Sequence, residues 1–329
     1  MSFGCFINAK KGKKMKGGVF LERVLQVGET PLIEYEYEGR KIYIKLEGYN
    51  PSGSMKDRAA MHILSEAKRR ELINDETVII ESSSGNFGIA LAMACKKMNL
   101  KFICVIDNNT NLMIEKLLKV YDAEVIKVDR VDEHGGYLGN RIKKVKEIIN
   151  NNANIYWINQ YENILNAEAY YSLADEIKRD MKFIDYVFLP VSSGGTITGV
   201  SRRLKEWNPK VKIIAVDSSG SVIFGGQAKK RFIPGMGSSI VPPILKMAYI
   251  DDIIYIEESS MIYECKMFLE KNCVLIGGSS GACLCAIKQY CGMNGLDINK
   301  KIVTIFPDKG ERYVETIYND SWCNLHYNI

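Results

Sequence analysis

Residues 185–196 read Asp185-Tyr186-Val187-Phe188-Leu189-Pro190-Val191-Ser192-Ser193-Gly194-Gly195-Thr196. An apolar run of strand length is followed by hydroxyls and paired glycines, and then by a stretch with helical periodicity, which is the signature of one β/α unit. The same alternation recurs along the chain: residues 77–81, 101–106, 124–128, 154–158, 212–217 and 301–306 read as further strands, with helix-period segments between them. This pattern predicts an α/β fold with a largely parallel sheet and helices on both faces. Ligands of such sheets sit beyond the carboxyl ends of the strands, so the loops there are where chemistry is expected. Glycine is concentrated in those loops, at 82–88, 192–195 and 277–281.

The rest of the composition narrows the function by exclusion. The chain has 329 residues, 47% of them hydrophobic and 25% charged, an ordinary globular balance that is long enough for two domains sharing a cleft. The net charge of +5 has its clearest local source in Lys10, Lys11, Lys13, Lys14 and Lys16, a cluster that reads as a solvated tail, so no nucleic-acid partner is expected. Nine cysteines, several inside apolar runs (Cys95, Cys104, Cys283, Cys285), fit buried thiols in a reducing cytoplasm. With only three histidines a zinc site has little to be built from, and no metal is expected. No segment reaches the ~18 uninterrupted apolar residues of a membrane span, and the lysine-rich start lacks a following apolar region, so neither a membrane partner nor a secretory signal is expected. The two commonest nucleotide cradles, GxGxxG and GxxxxGK[ST], do not occur.

Four segments carry chemistry. In Asn50-Pro51-Ser52-Gly53-Ser54-Met55-Lys56-Asp57-Arg58 a turn-rich stretch delivers one lysine to the start of a helical run containing Ala59, Ala60, Ile63, Leu64 and Ala67. An amine at an apolar junction is partly desolvated, which favours the neutral nucleophile that condenses with aldehydes. Taken alone, a lysine so placed is most often solvated. Ser82-Ser83-Ser84-Gly85-Asn86-Phe87-Gly88 is a strand-to-helix turn whose amides and hydroxyls suit a carboxylate or phosphate, although one serine acting as an N-cap explains a single such turn as well. The 192–196 loop offers backbone amides to an anion without any charged side chain. Gly277-Gly278-Ser279-Ser280-Gly281-Ala282 repeats the arrangement ahead of an apolar helix, where tight packing or capping are equally open readings.

These four segments, followed by Pro307-Asp308-Lys309-Gly310-Glu311-Arg312-Tyr313, stand in the order seen in the cysteine synthase family of fold-type-II pyridoxal-phosphate enzymes, which the chain resembles from about Val27 to Trp322. The resemblance implies two three-layer αβα domains with mostly parallel sheets and pyridoxal 5'-phosphate in the cleft between them. It implies a basic extension at 1–24, a smaller mobile domain at 51–169 holding the carboxylate loop, and a larger domain from 25–50 plus 170–329 that binds the cofactor phosphate. Lys56 would be the Schiff-base lysine and catalytic proton shuttle, and Asn86 would bond the ring hydroxyl. Ser192, Ser193, Gly194, Gly195 and Thr196 would cradle the phosphate, the first two differing from the glycine and threonine common in cysteine synthases. Ser279 would face the pyridine nitrogen. A neutral hydroxyl there leaves the ring a weaker electron sink, which suits β-elimination. Ser83, Ser84 and Gln160 would hold the substrate α-carboxylate.

Departures from the cysteine synthase pattern point to one branch. Phe87 stands where a small hydroxyl residue is usual, Tyr161 follows Gln160 where phenylalanine is usual, and the runs His134-Gly135-Gly136-Tyr137-Leu138 with Arg141 and Gly220-Ser221-Val222-Ile223-Phe224-Gly225 also differ. Together they resemble enzymes making N-(2-amino-2-carboxyethyl)-L-glutamate from O-phospho-L-serine and L-glutamate, a step toward the siderophore staphyloferrin B. A dianionic leaving group and an anionic nucleophile both need cations, for which Arg141 and Arg231 are the candidates. The residue at position 240 is an isoleucine where that branch has an arginine. Rival readings are a cysteine synthase using sulfide, an enzyme releasing sulfide from cysteine or forming lanthionine, and a silent regulatory paralogue. Intact Lys56, Asn86 and Ser279 argue against the last. The family implies a cytoplasmic homodimer acting on small amino acids.

Overall fold

A computed structural model describes residues 26–132 and 136–329. The basic extension at 1–24 and His134 and Gly135 therefore lie outside the described residues. In chain order the elements are β1 (Leu32–Tyr37), β2 (Arg40–Leu46), α1 (Lys56–Arg69), β3 (Val78–Ser82), α2 (Asn86–Lys97), β4 (Lys101–Asp107), α3 (Leu112–Val120), β5 (Glu124–Val128) and α4 (Leu138–Asn150). There follow β6 (Ile155–Trp157), α5 (Ile164–Glu168), α6 (Tyr171–Asp180), β7 (Tyr186–Pro190), α7 (Gly195–Trp207), β8 (Lys212–Ser218), β9 (Asp252–Ile256), α8 (Glu258–Asn272), α9 (Gly278–Asn294), β10 (Ile302–Phe306) and α10 (Asp320–Tyr327).

The strands form two sheets. One has four parallel strands in the order β5-β4-β3-β6, and the other has six in the order β1-β2-β10-β7-β8-β9, parallel except for the β1–β2 hairpin. Each is buried on both faces, and successive residues show it. Ile79 and Cys104 join the core under α1, α2 and α3, whereas Ile80 and Val105 pack with Val145 of α4. In the larger sheet Val187, Leu189, Ile213 and Ala215 pack beneath α6 and α7, and Phe188, Ile214 and Val216 pack beneath α8 and α9. Each sheet is thus the middle layer of three, as parallel sheets require. One apolar cluster holds Ile79 of the smaller sheet and Val187 of the larger together with Ala59, Ile63 and Tyr170, so the helix that begins at Lys56 belongs to a core that the two sheets share.

Three strands are missed by reading the sequence alone. In β1 and β2 charged residues alternate with apolar ones (Glu34, Glu36, Lys41, Lys45), and β9 is short with two exposed isoleucine and tyrosine positions. Lys45 is nevertheless fully buried, held by Glu176 at 2.8 Å and by the Thr30 carbonyl at 2.5 Å. Among the described residues no helix is long and apolar enough to cross a membrane.

Candidate active site

The carboxyl ends of β3, β7 and β10 point their loops into one region, and α1 begins there. The Met55 amide donates to the Pro307 carbonyl at 2.8 Å and Ser54 bridges to Asp308, so the lysine segment is laid against the loop after β10. Lys56 is the first residue of α1 and only partly accessible. Burial lowers its ammonium to about 8, against the opposing pull of Asp308. A minority of roughly a tenth to a fifth is therefore neutral near physiological pH, far more than for a solvated lysine, and that is the form that adds to an aldehyde.

Asn86 opens α2 and its amide is engaged at both ends. Nδ2 donates to Asp308 Oδ2 at 2.6 Å, and Oδ1 accepts from Arg312 Nη1. Arg312 Nη2 also donates to the Ser52 carbonyl, and the Tyr313 hydroxyl donates to Asp308 Oδ2 at 2.7 Å. Asp308 and Arg312 lie in a motif used above only for its resemblance, with no role given to either. The signal that could have found them was their place just after a parallel strand.

The 192–196 loop joins β7 to α7, whose thirteen residues begin at Gly195. Gly194 caps that helix at φ +84°, a left-handed conformation that glycine takes without a Cβ penalty. The first-turn amides of such a helix have no intrahelical carbonyls to meet, and they sit at its positive end. Ser193 and Thr196 are buried beside them, and the Ser192 hydroxyl donates to the Gly237 carbonyl at 3.1 Å. Ser279 lies in the first turn of α9 with 3% of its surface exposed, and next to it the Ser280 hydroxyl is buried with no hydrogen-bond partner among the described residues.

On the opposite wall, Ser83 is buried and its hydroxyl accepts from the Gly88 amide at 2.9 Å, which tightens the turn into α2, while Ser84 is partly exposed. The Gln160 side chain donates to the Ser82 carbonyl at 3.2 Å, and its backbone amide donates to Glu81 at 3.1 Å. The fully buried Glu81, raised by that burial to about 7, thereby ties the root of the serine turn to the loop after β6. Phe87 is 3% exposed and packs in the shared core.

Arg141, on α4, is buried and forms an ion pair with Asp107 at 3.3 Å, while its Nε has no hydrogen-bond partner among the described residues. Arg231, in the loop after β8, donates from Nη1 to the Met236 carbonyl at 2.9 Å and likewise leaves its buried Nε without one. Both guanidiniums act on the Tyr161 hydroxyl, which burial raises and the two cations pull down. The charges of the two arginines, ninety positions apart in the sequence, are thus both felt at one tyrosine.

This donor set fits pyridoxal phosphate. An aldehyde needs the desolvated amine of Lys56, a phosphate needs the uncharged amide cradle before α7, and the ring hydroxyl needs an amide such as Asn86. An added Cβ at Gly195 would run into Asn166, so the cradle is already closed on its protein side. Residues 24–308 match the family described as pyridoxal-phosphate dependent enzyme. The O-acetylserine dependent cystathionine β-synthase from Helicobacter pylori is similar at a TM-score of 0.82 and 31% identity, over 89% of this chain and 97% of that one. A hydrogen sulfide-producing enzyme from Fusobacterium nucleatum is similar at a TM-score of 0.82 and 31% identity, over 92% of each chain. An O-ureido-L-serine synthase is similar at a TM-score of 0.83 and 25% identity, over 89% of this chain and 93% of that one.

Proposed function

The chain belongs to the family of pyridoxal-phosphate dependent enzymes, and on that premise we propose that it replaces the β-substituent of O-phospho-L-serine with L-glutamate, giving N-(2-amino-2-carboxyethyl)-L-glutamate. The observation that supports these substrates over neutral ones is that Arg141 and Arg231 each keep a buried Nε with no hydrogen-bond partner among the described residues, while both charges are felt at Tyr161. Burying cations without full pairing is costly, and an anionic substrate group offsets that cost. In this reading the product feeds 2,3-diaminopropionate to siderophore assembly.

When bound, the cofactor supplies the electron sink that lets a β-substituent leave an amino acid. The residues of this chain do the rest. Lys56 holds the cofactor and then takes the proton from the substrate Cα at its Nζ. Ser83, Ser84 and Gln160 hold the α-carboxylate, Asn86 and Ser279 orient the ring, and residues 192–196 anchor the phosphate. Arg141 and Arg231 receive the leaving phosphate and the incoming glutamate. Segment 51–169 closes over the larger unit and excludes water while the β-carbon is reactive.

The second reading keeps all of this and changes the nucleophile to a sulfur compound; the relatives named for cystathionine synthesis and sulfide production favour it. The two are separated by offering glutamate, sulfide and cysteine in turn to the purified protein with O-phospho-L-serine, and weighing the products. A glutamate adduct as the dominant product supports the first reading. Products with sulfide or cysteine alone overturn it.

A further inference from the structure

We infer that Asp308 is a positioning residue of the cofactor site, one that fixes the Asn86 amide and supplies the counter-charge against which Lys56 holds its proton. The inference rests on Lys56 being the cofactor lysine, as proposed above.

The geometry starts at Asn86. A carboxylate only accepts hydrogen bonds and a guanidinium only donates them, so Asp308 and Arg312 together leave the Asn86 amide one orientation, nitrogen toward Asp308 and oxygen toward Arg312. The amide nitrogen carries two hydrogens. Asp308 takes one, and the other is left to point at a ring hydroxyl. Asp308 is itself held: Tyr313 donates to the same oxygen, and the Ser54 bridge locks its backbone to the lysine segment. Gly277, the residue before α9, lies so close to Asp308 Oδ1 that an added Cβ would collide with it. Asp308 therefore touches the lysine segment, the asparagine turn and the start of the helix carrying Ser279.

The electrostatics follow from this placement. Asp308 Oδ1 is buried and has no hydrogen-bond partner among the described residues, so half of the carboxylate is uncompensated by local donors. Burial raises the carboxyl, while Tyr313, Asn86, Arg312 and Lys56 all pull it down. Burial lowers Lys56, and Asp308 opposes it. The other titratable groups facing Asp308 are Cys265 and Tyr318, both raised by burial and both feeling its charge, and Arg312 also acts on Asp57. A lysine that takes a proton from carbon in a desolvated site becomes a buried cation, and Asp308 is placed to compensate it.

The test follows pyridoxal phosphate capture by the cofactor-free full chain, read as the absorbance change against pH. Capture requires the neutral amine, which adds to the aldehyde carbon with loss of water, so the midpoint of the rate reports the Lys56 proton. The wild-type midpoint is expected near 8. Asp308→Asn is expected to lower it by at least about one pH unit, roughly tenfold in proton affinity, because an opposite charge at close range typically shifts an amine by about 1 to 3 units. A folded Asp308→Asn protein with an unchanged or raised midpoint overturns the inference. Should Asp308→Asn fail to fold, Asp308→Ala decides by the same measure: it removes the charge and leaves more room beside Gly277, so the midpoint must fall, and an unchanged or raised value overturns the inference. Capture by Lys56→Ala at the wild-type rate would instead sink the underlying assignment of Lys56, a separate and distinguishable failure.

Discussion

Arg58→Ala should destabilise the fold by about 3–5 kcal/mol, the range for removing one partner from a buried ion-pair network. Arg58 lies two residues after Lys56 on α1 and is buried. Its Nε donates to Glu47 at 2.7 Å, Nη2 donates to Glu47 and Glu176 at 2.8 Å each, and Nη1 donates to Glu176 at 2.7 Å and to Ser172 at 3.1 Å. Without the guanidinium, Lys45 alone remains to balance the two buried carboxylates, at 2.8 Å from Glu176. Neutral donors at Thr30, 2.6 Å from Glu47, and at the Glu29 amide, 3.0 Å from Glu176, do not replace a charge. The loss should also change the acid limb of stability. Burial pushes the Glu176 carboxyl up, but Arg58 and Lys45 more than reverse this and hold it at about 2, below its ordinary value of 4.5. A depressed folded pKa contributes stability that is present above 4.5 and lost as pH falls toward 2. Urea unfolding of wild type and Arg58→Ala, followed by tryptophan fluorescence at neutral pH and in mild acid, measures both effects. A loss below about 1 kcal/mol at neutral pH, or an acid slope as steep as in wild type, would refute the claim that Arg58 carries this network.

Further outcomes are expected elsewhere in the site. Glu81→Gln should flatten the stability profile between 4.5 and 7: the folded carboxyl is raised to about 7, so in wild type stability falls as pH rises through that interval, and melting temperatures across it check the sign. Arg141→Ala and Arg231→Ala should each raise KM for O-phospho-L-serine or for glutamate about ten- to a hundredfold, the equivalent of one lost charge-assisted bond, and far more than KM for O-acetylserine. Equal effects on both donors in steady-state assays would remove these arginines from phosphate recognition. Gly194→Ala should weaken cofactor binding, since its left-handed backbone would be strained and its Cβ would press on Leu245 and Ile244; equilibrium titration of the cofactor measures it.

The fully buried parallel strands were legible because burial on both faces produces unbroken apolar runs, as in residues 186–190 and 302–306. β1 and β2 were not, because their alternating charges resemble a solvated segment, and nothing local signals that Lys45 meets Glu176 inside the protein. The glycine turns were legible as strand-to-helix turns from local chemistry, which left capping and tight packing open beside an anion site. That the charges of Arg141 and Arg231 are both felt at Tyr161 was not, since it depends on how one sheet sits against the other. Asp308 was hidden for a similar reason: its partner Asn86 is 222 residues away, and an aspartate after a strand looks like any surface turn until burial is known.

The central claim is that Lys56 carries the cofactor. Incubating the protein with pyridoxal phosphate, reducing with borohydride and mapping the digested peptides by mass spectrometry tests it most directly. The account predicts the phosphopyridoxyl group on the peptide containing Lys56, with the label lost in Lys56→Ala while circular dichroism shows the fold retained. A label on another lysine, or a label that survives Lys56→Ala, would contradict it.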